Sequence, residues 1–149
     1  MGLKEQVRSD LQGAIREKNV ARRSALRALI TALSDAELES KQPLSPDQEI
    51  DTVAREVRRR HDAIAEYSQA GRLDLVDVEM AELRFIENFL PTQLTSEELR
   101  EIIRQTIAEI GASEPSQIGR VMKAVVPKIR GRGDARRANE IARALLAEV

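Results

Sequence analysis

GRVMKAVVPKIRGRGDARRANEIARALL, residues 119–146, is the stretch on which the reading of this chain turns. Apolar residues at helical spacing fill its first part, glycines follow at 131 and 133, and Asp134 precedes a second run of helical spacing. That pattern is a short helix, a basic glycine-rich elbow and another short helix. From Gln117 to Ala147 the chain carries Arg120, Lys123, Lys128, Arg130, Arg132, Arg136, Arg137 and Arg143 against only Asp134 and Glu140. The local balance is +6 in a protein whose formal charge is −1. A polyanion is the natural partner, because each neutralised phosphate releases condensed counterions. A solvated helix–loop–helix surface is the competing reading of the same charges.

Outward from that stretch the helical period continues. Leu3, Val7, Leu11 and Ile15 make the stripe of a first helix, and Leu26, Leu29, Ile30 and Leu33 that of a second, from about Val20 to about Lys41. Ser45-Pro46-Asp47-Gln48 predicts a capping box with proline set for the first turn. The third helix then carries Ile50, Val53, Ala54, Val57, Ile64 and Tyr67 inward and stops near Gly71. A cap between Asp74 and Asp77 opens a fourth, striped by Leu75, Val78, Leu83, Ile86 and Leu90, and Pro91 ends it. Thr95 with Glu98 is a second capping box, opening a fifth helix that Gly111 closes. A sixth runs from about Ser116 to Lys128, and Asp134 caps a seventh, which buries Ile141, Leu145, Ala138 and Ala142.

The expected fold is all-α, with a four-helix part at 1–91 joined to a small three-helix domain at 92–149 and the boundary at Pro91-Thr92-Gln93-Leu94. The halves differ in charge, net −3 for the first and net +2 for the second.

Composition excludes several function classes. The chain has no Cys, which removes disulfides, zinc–thiolate sites and thiol catalysis, and a single His, which removes a multi-histidine metal site. With no Trp, one Tyr (Tyr67) and two Phe (Phe85, Phe89), it lacks the aromatics of a base-stacking platform or of a ring-lined ligand pocket. No cofactor and no metal are expected. No run spans a bilayer, the first residues carry no apolar core of signal-peptide length, and Gln6 breaks the lipidation pattern after Met1-Gly2. The expectation is a cytoplasmic protein without membrane contact.

His61 follows Val57 by four and precedes Ile64 by three, which makes it a structural histidine on or beside the inward stripe of the third helix. Asp74, Asp77, Glu79 and Glu82 read as dipole and capping chemistry in early helical turns rather than as catalytic carboxylates. Arg22, Arg23 and Arg27, with Arg55, Arg58, Arg59 and Arg60, lie close to Glu56 and Asp62 and read as a salt-bridged polar face. Gly119, early in its helix, reads as a packing glycine. The elbow Arg130-Gly131-Arg132-Gly133-Asp134 lacks Walker spacing and a preceding strand. It offers a glycine-permitted turn before a helix amino terminus, flanked by arginines, and Asp134 competes for the same N–H groups.

Taken in order, Gly71-Arg72 before Asp74-Leu75, Glu79 with Glu82-Leu83, Leu90-Pro91, Gly119-x-Val121-Met122, Pro127-Lys128 and Gly131-Arg132-x-Asp134 resemble the GatB/YqeY family over essentially the whole length. Stand-alone members look like the tail region of the B subunit of glutamine-dependent tRNA amidotransferase. The resemblance implies a larger helical part followed by three helices, and a relationship to carbon–nitrogen ligation with glutamine as nitrogen donor. In the full amidotransferase the tail helps hold tRNA, while the chemistry is carried out elsewhere. Ala135, where the family often has glycine, leaves the cap in place.

The expectation is therefore a non-catalytic module binding tRNA or another structured RNA through Lys123, Lys128, Arg130, Gly131, Arg132, Gly133, Arg136 and Arg137, by shape and backbone charge. The rival is a protein-interaction module docking on amidotransferase subunits or another translation-related assembly through the short C-terminal helices.

Overall fold

Side chains at Asn19, Ser45, Thr95 and Asp134 cap the starts of helices, and apolar spacing sets the faces those helices bury. The computed structural model of the chain describes residues 2–148. Within them stand α1 (Leu3–Arg16), α2 (Val20–Ser40), α3 (Pro46–Gln69), α4 (Leu73–Glu87), α5 (Ser96–Ile110), α6 (Ile118–Ile129) and α7 (Ala135–Ala147), with a 3-10 turn at Pro115–Gln117 leading into α6. The fold class is all-α. The chain divides into two compact units, Met1–Leu90 and Pro91–Val149.

In the first unit α2 is central and packs against α1, α3 and α4. It supplies Ala25, Leu26, Leu29 and Leu33 to a core completed by Val7, Ala14, Val53 and Ile86. Each fully buried Val, Leu or Ile side chain among these contributes about 1.5–3 kcal/mol. The capping box that opens α3 is present: Gln48 donates its backbone N–H to Ser45 Oγ (3.2 Å), and Ser45 donates its own to Gln48 Oε1 (2.9 Å).

The fourth helix departs from the expected register. It starts at Leu73 with Arg72 in the cap position and no side-chain cap, so Asp74 lies inside the first turn. There the Arg72 guanidinium donates to both Asp74 oxygens (3.2 and 3.0 Å) and holds that carboxyl below its ordinary range. Val78 is 54 % exposed, and Val76 is buried in its place. The inward stripe is Val76, Glu79, Glu82-Leu83 and Ile86, at spacings of three and four, with two carboxylates in its middle. The helix ends at Glu87, because Pro91 has no N–H to donate to the Glu87 carbonyl.

Those carboxylates answer Arg60. Its side chain is salt-bridged, as the sequence suggests, but it lies on the inward face of α3 and is 10 % exposed rather than standing on an outer polar face. Arg60 Nη1 donates to Glu79 Oε2 (3.1 Å) and Glu82 Oε2 (2.9 Å), while Nε lies 3.5 Å from Glu56 Oε1. Glu56 and Glu82 are themselves buried. Arg59, outside, closes the set on Glu56 (3.1 Å). Arg60 thus occupies the inward position that the spacing offers to His61. The histidine, one residue and about 100° further round the helix, stands with its side chain 57 % exposed, Nε2 3.6 Å from Glu87.

The second unit is built on Leu99, Ile103 and Ile107 of α5, Val121, Val125 and Ile129 of α6, and Ala138, Ala142, Leu145 and Leu146 of α7. Its capping box is also formed: Thr95 donates its N–H to Glu98 Oε1 (3.0 Å), and Glu98 donates its N–H to Thr95 Oγ1 (3.1 Å). Accepting the Thr95 N–H holds the Glu98 carboxyl below its ordinary range. A depressed folded-state value means that the stabilisation is present above the unfolded range and lost as pH falls through the folded one. Replacing Glu98 by Gln should therefore flatten the acid limb of the second unit's thermal melting, and an unchanged limb would contradict this. Gly119 does not pack: a Cβ built there meets no surrounding heavy atom within 4 Å. Gly119→Ala should accordingly stabilise the second unit by about 0.5–1 kcal/mol, read as a melting temperature a few degrees higher.

Candidate nucleic-acid interface

Local chemistry builds the elbow before any ligand is considered. Residues 118–133 carry five cations (Arg120, Lys123, Lys128, Arg130 and Arg132) and no carboxylate. The chain leaves α6 at Ile129, whose carbonyl accepts the N–H groups of both Arg132 (2.8 Å) and Gly133 (3.0 Å). Gly131 makes that turn at φ 70°, left-handed backbone that costs glycine least. Gly133 lies against the core, where a Cβ would come 3.4 Å from Leu99. Asp134 then caps α7, its Oδ1 accepting the Arg136 N–H at 3.0 Å. The Arg136 N–H is thus taken by Asp134, whose carboxylate also stands where an anion would approach the helix start, so any anion is met mainly by side chains.

The segment read as a bare boundary takes part in the elbow. Leu94 donates its N–H to the Arg132 carbonyl (2.8 Å), Gln93 Nε2 donates to the Gly131 carbonyl (2.6 Å), and Arg132 Nε donates to the Thr92 carbonyl (3.1 Å). Residues 92–94 thus fasten the turn by contacts some forty residues apart in sequence, which no local pattern announces.

The cations fall into different settings. Lys128 turns to α5, donating to the buried Thr106 hydroxyl and to Glu109 (2.9 Å each). Arg137 reaches Ser96 at the start of the same helix. Arg120 donates to the Ile110 carbonyl (2.8 Å), and Arg143 to Asn139 (2.7 Å). Arg136 Nε stands 3.9 Å from Asp134, and Arg130 is half-buried at the turn. Lys123 is exposed on the outer face of α6. The eight sequence-chosen residues therefore lie on one continuous α6–elbow–α7 segment, but Lys128 and Arg137 lean to α5 while Lys123 points away from the core. On the first unit, Arg22 pairs with Glu17 (3.1 Å) and Arg59 with Glu56.

Residues 4–146 match the profile of the family described as Yqey-like protein. The chain belongs to that family. Among curated proteins it is similar to the "Altered inheritance of mitochondria protein 41, mitochondrial" of Kluyveromyces lactis, 30% identical over 114 residues that cover 74% of this chain and 61% of that protein. The protein of the same name from Pyrenophora tritici-repentis is 26% identical over 130 residues, covering 85% of this chain and 70% of its own length. The chain thus spans less than two thirds of the first of these relatives.

Their names correct one expectation. Both relatives are mitochondrial by name, which conflicts with a plain cytoplasmic assignment for this Yqey-like chain. The lack of a long apolar segment does not distinguish the cytosol from an organelle's interior. Among the described residues no helix is long and apolar enough to cross a membrane, and no group of three or more His, Cys, Asp or Glu is arranged to hold a metal ion.

Proposed function

We propose that this Yqey-like protein is a non-catalytic RNA-binding module whose α6–elbow–α7 surface takes the backbone of a structured RNA, with tRNA the first choice. The observation that carries the reading is the run of five cations without a carboxylate across residues 118–133, held in place by the hydrogen bonds from Gln93, Leu94 and Arg132. Such a surface contacts phosphates and leaves bases unread, so selectivity comes from RNA shape. The likeness to the amidotransferase B-subunit tail supports tRNA over other RNAs. Nothing in the described side chains assembles a nucleophile with its base: His61 faces Glu87 in solvent, and the buried carboxylates are held by Arg60. Purified protein supplied with glutamine and ATP should release neither glutamate nor phosphate, and turnover would refute the non-catalytic reading.

The docking alternative asks for an aliphatic patch on the short helices. Among the described residues of the second unit, Val126, at 39 %, is the exposed large aliphatic side chain. That is little surface for a partner helix.

The direct test is a salt titration of unfractionated tRNA against duplex DNA of matched charge. Tighter tRNA binding with a steep salt slope is expected, and no binding at 50 mM salt would end the proposal. Asp134→Asn keeps the cap acceptor and deletes the acidic group within the elbow's own sequence. It should tighten tRNA binding several-fold with an unchanged melting temperature, whereas Asp134→Ala should cost about 1 kcal/mol of stability.

A further inference from the structure

Gly119 is left without a reason by the fold. It lies within helical backbone that runs from the Pro115–Gln117 turn through Ile129, where glycine is less stable than alanine, and nothing in the surrounding structure crowds its open side. Lys123 follows one turn later, exposed, with no hydrogen bond or ion pair to any described residue. Val126 comes a further three residues on, also exposed. Spacings of four and three put these residues on one flank of α6, turned from the core residues Val121, Val125 and Ile129. Arg120 and Lys128, by contrast, are engaged with α5 through the Ile110 carbonyl, Thr106 and Glu109. Throughout α6 there is no carboxylate.

We infer that this flank of α6 is where an RNA sugar–phosphate strand comes closest. Gly119 supplies the clearance, Lys123 the phosphate contact and Val126 an apolar contact for the sugar edge. The inference rests on the RNA-binding reading and deepens it, because it moves the point of closest approach from the glycine turn at 131–133 to the helix before it. Charge favours an RNA strand over a partner helix here. A helix docking on glycine would want a wide apolar surround, and this flank offers one aliphatic side chain and an unpaired ammonium.

The test uses the full chain, unfractionated tRNA and two variants. Gly119→Leu adds bulk in open space, so the protein should melt no lower than wild type. Its tRNA dissociation constant should rise at least tenfold while the salt slope stays as in wild type, because the obstruction is steric. Lys123→Ala should instead lower the magnitude of the slope by about 0.7–0.9, one phosphate contact. A Gly119→Leu protein that melts like wild type and binds tRNA within twofold of it would overturn the inference and leave the RNA-module reading standing. An unchanged slope for Lys123→Ala would overturn it equally, and needs no extra room in the fold. If wild type itself does not bind tRNA at 50 mM salt, the module reading falls and this inference with it.

Discussion

Arg60→Ala should destabilise the first unit by about 3–5 kcal/mol, a large fraction of what a small domain has to lose. The reason is the company this guanidinium keeps. Glu56 and Glu82 are buried, Glu79 is partly so, and all three carboxylates direct an oxygen at Arg60 within 3.5 Å. Deleting the cation leaves those carboxylates facing one another across the α3–α4 contact, with Arg59 outside still paired to Glu56. Desolvated charge without a partner is among the most costly changes a core can suffer. Arg60→Met combined with Glu56→Gln and Glu82→Gln should recover much of the loss, because a buried pair replaced by neutral groups of similar volume is far less costly than a broken one. Denaturant unfolding read by circular dichroism decides it: a loss under about 1 kcal/mol for Arg60→Ala would show that the network is solvated and dispensable.

The largest functional effect is expected at the elbow. Lys128→Gln, Arg130→Gln and Arg132→Gln together remove three positive charges yet keep side-chain donors for the Thr106 hydroxyl and the Thr92 carbonyl. The fold should survive, since the exposed Lys128–Glu109 pair is worth about 0–1 kcal/mol. Affinity for unfractionated tRNA should fall about a hundredfold at 0.1 M salt, with the slope reduced by two to three contacts, on the order of 1 kcal/mol each. The loss should be similar for RNAs of different sequence, because phosphates carry no sequence information. A triple variant that binds like wild type would remove the elbow from the site, whatever its charge.

Much of this protein was legible from local rules. Ser45 with Gln48 and Thr95 with Glu98 are capping boxes whose residues lie three apart, so the short range of the hydrogen bond is already written in the chain. Leu26, Leu29 and Leu33 mark the buried side of α2 by period alone, and Asp134 marks the start of α7. Register was less legible in α4, where apolar residues occur on more than one side: Val76 and Val78 both suit a stripe, and only the neighbouring helices choose Val76.

The all-α class, the two capping boxes, the Asp134 cap, the glycine turn and the concentration of cations after Gln117 are local properties, because each depends on residues within one or two helical turns. Packing of helices distant in sequence sets which charged groups are inside and which cations are engaged. Arg60 meets Glu79 and Glu82 across 19 and 22 residues, Lys128 meets Thr106 across 22, and Arg132 meets Thr92 across 40. Arg59 and Arg60 are adjacent and chemically identical, yet one is solvated and the other buried, and the difference is set by which side of α3 packs against α4. A pairing energy depends on distance and burial, and both are properties of packed helices rather than of any single one.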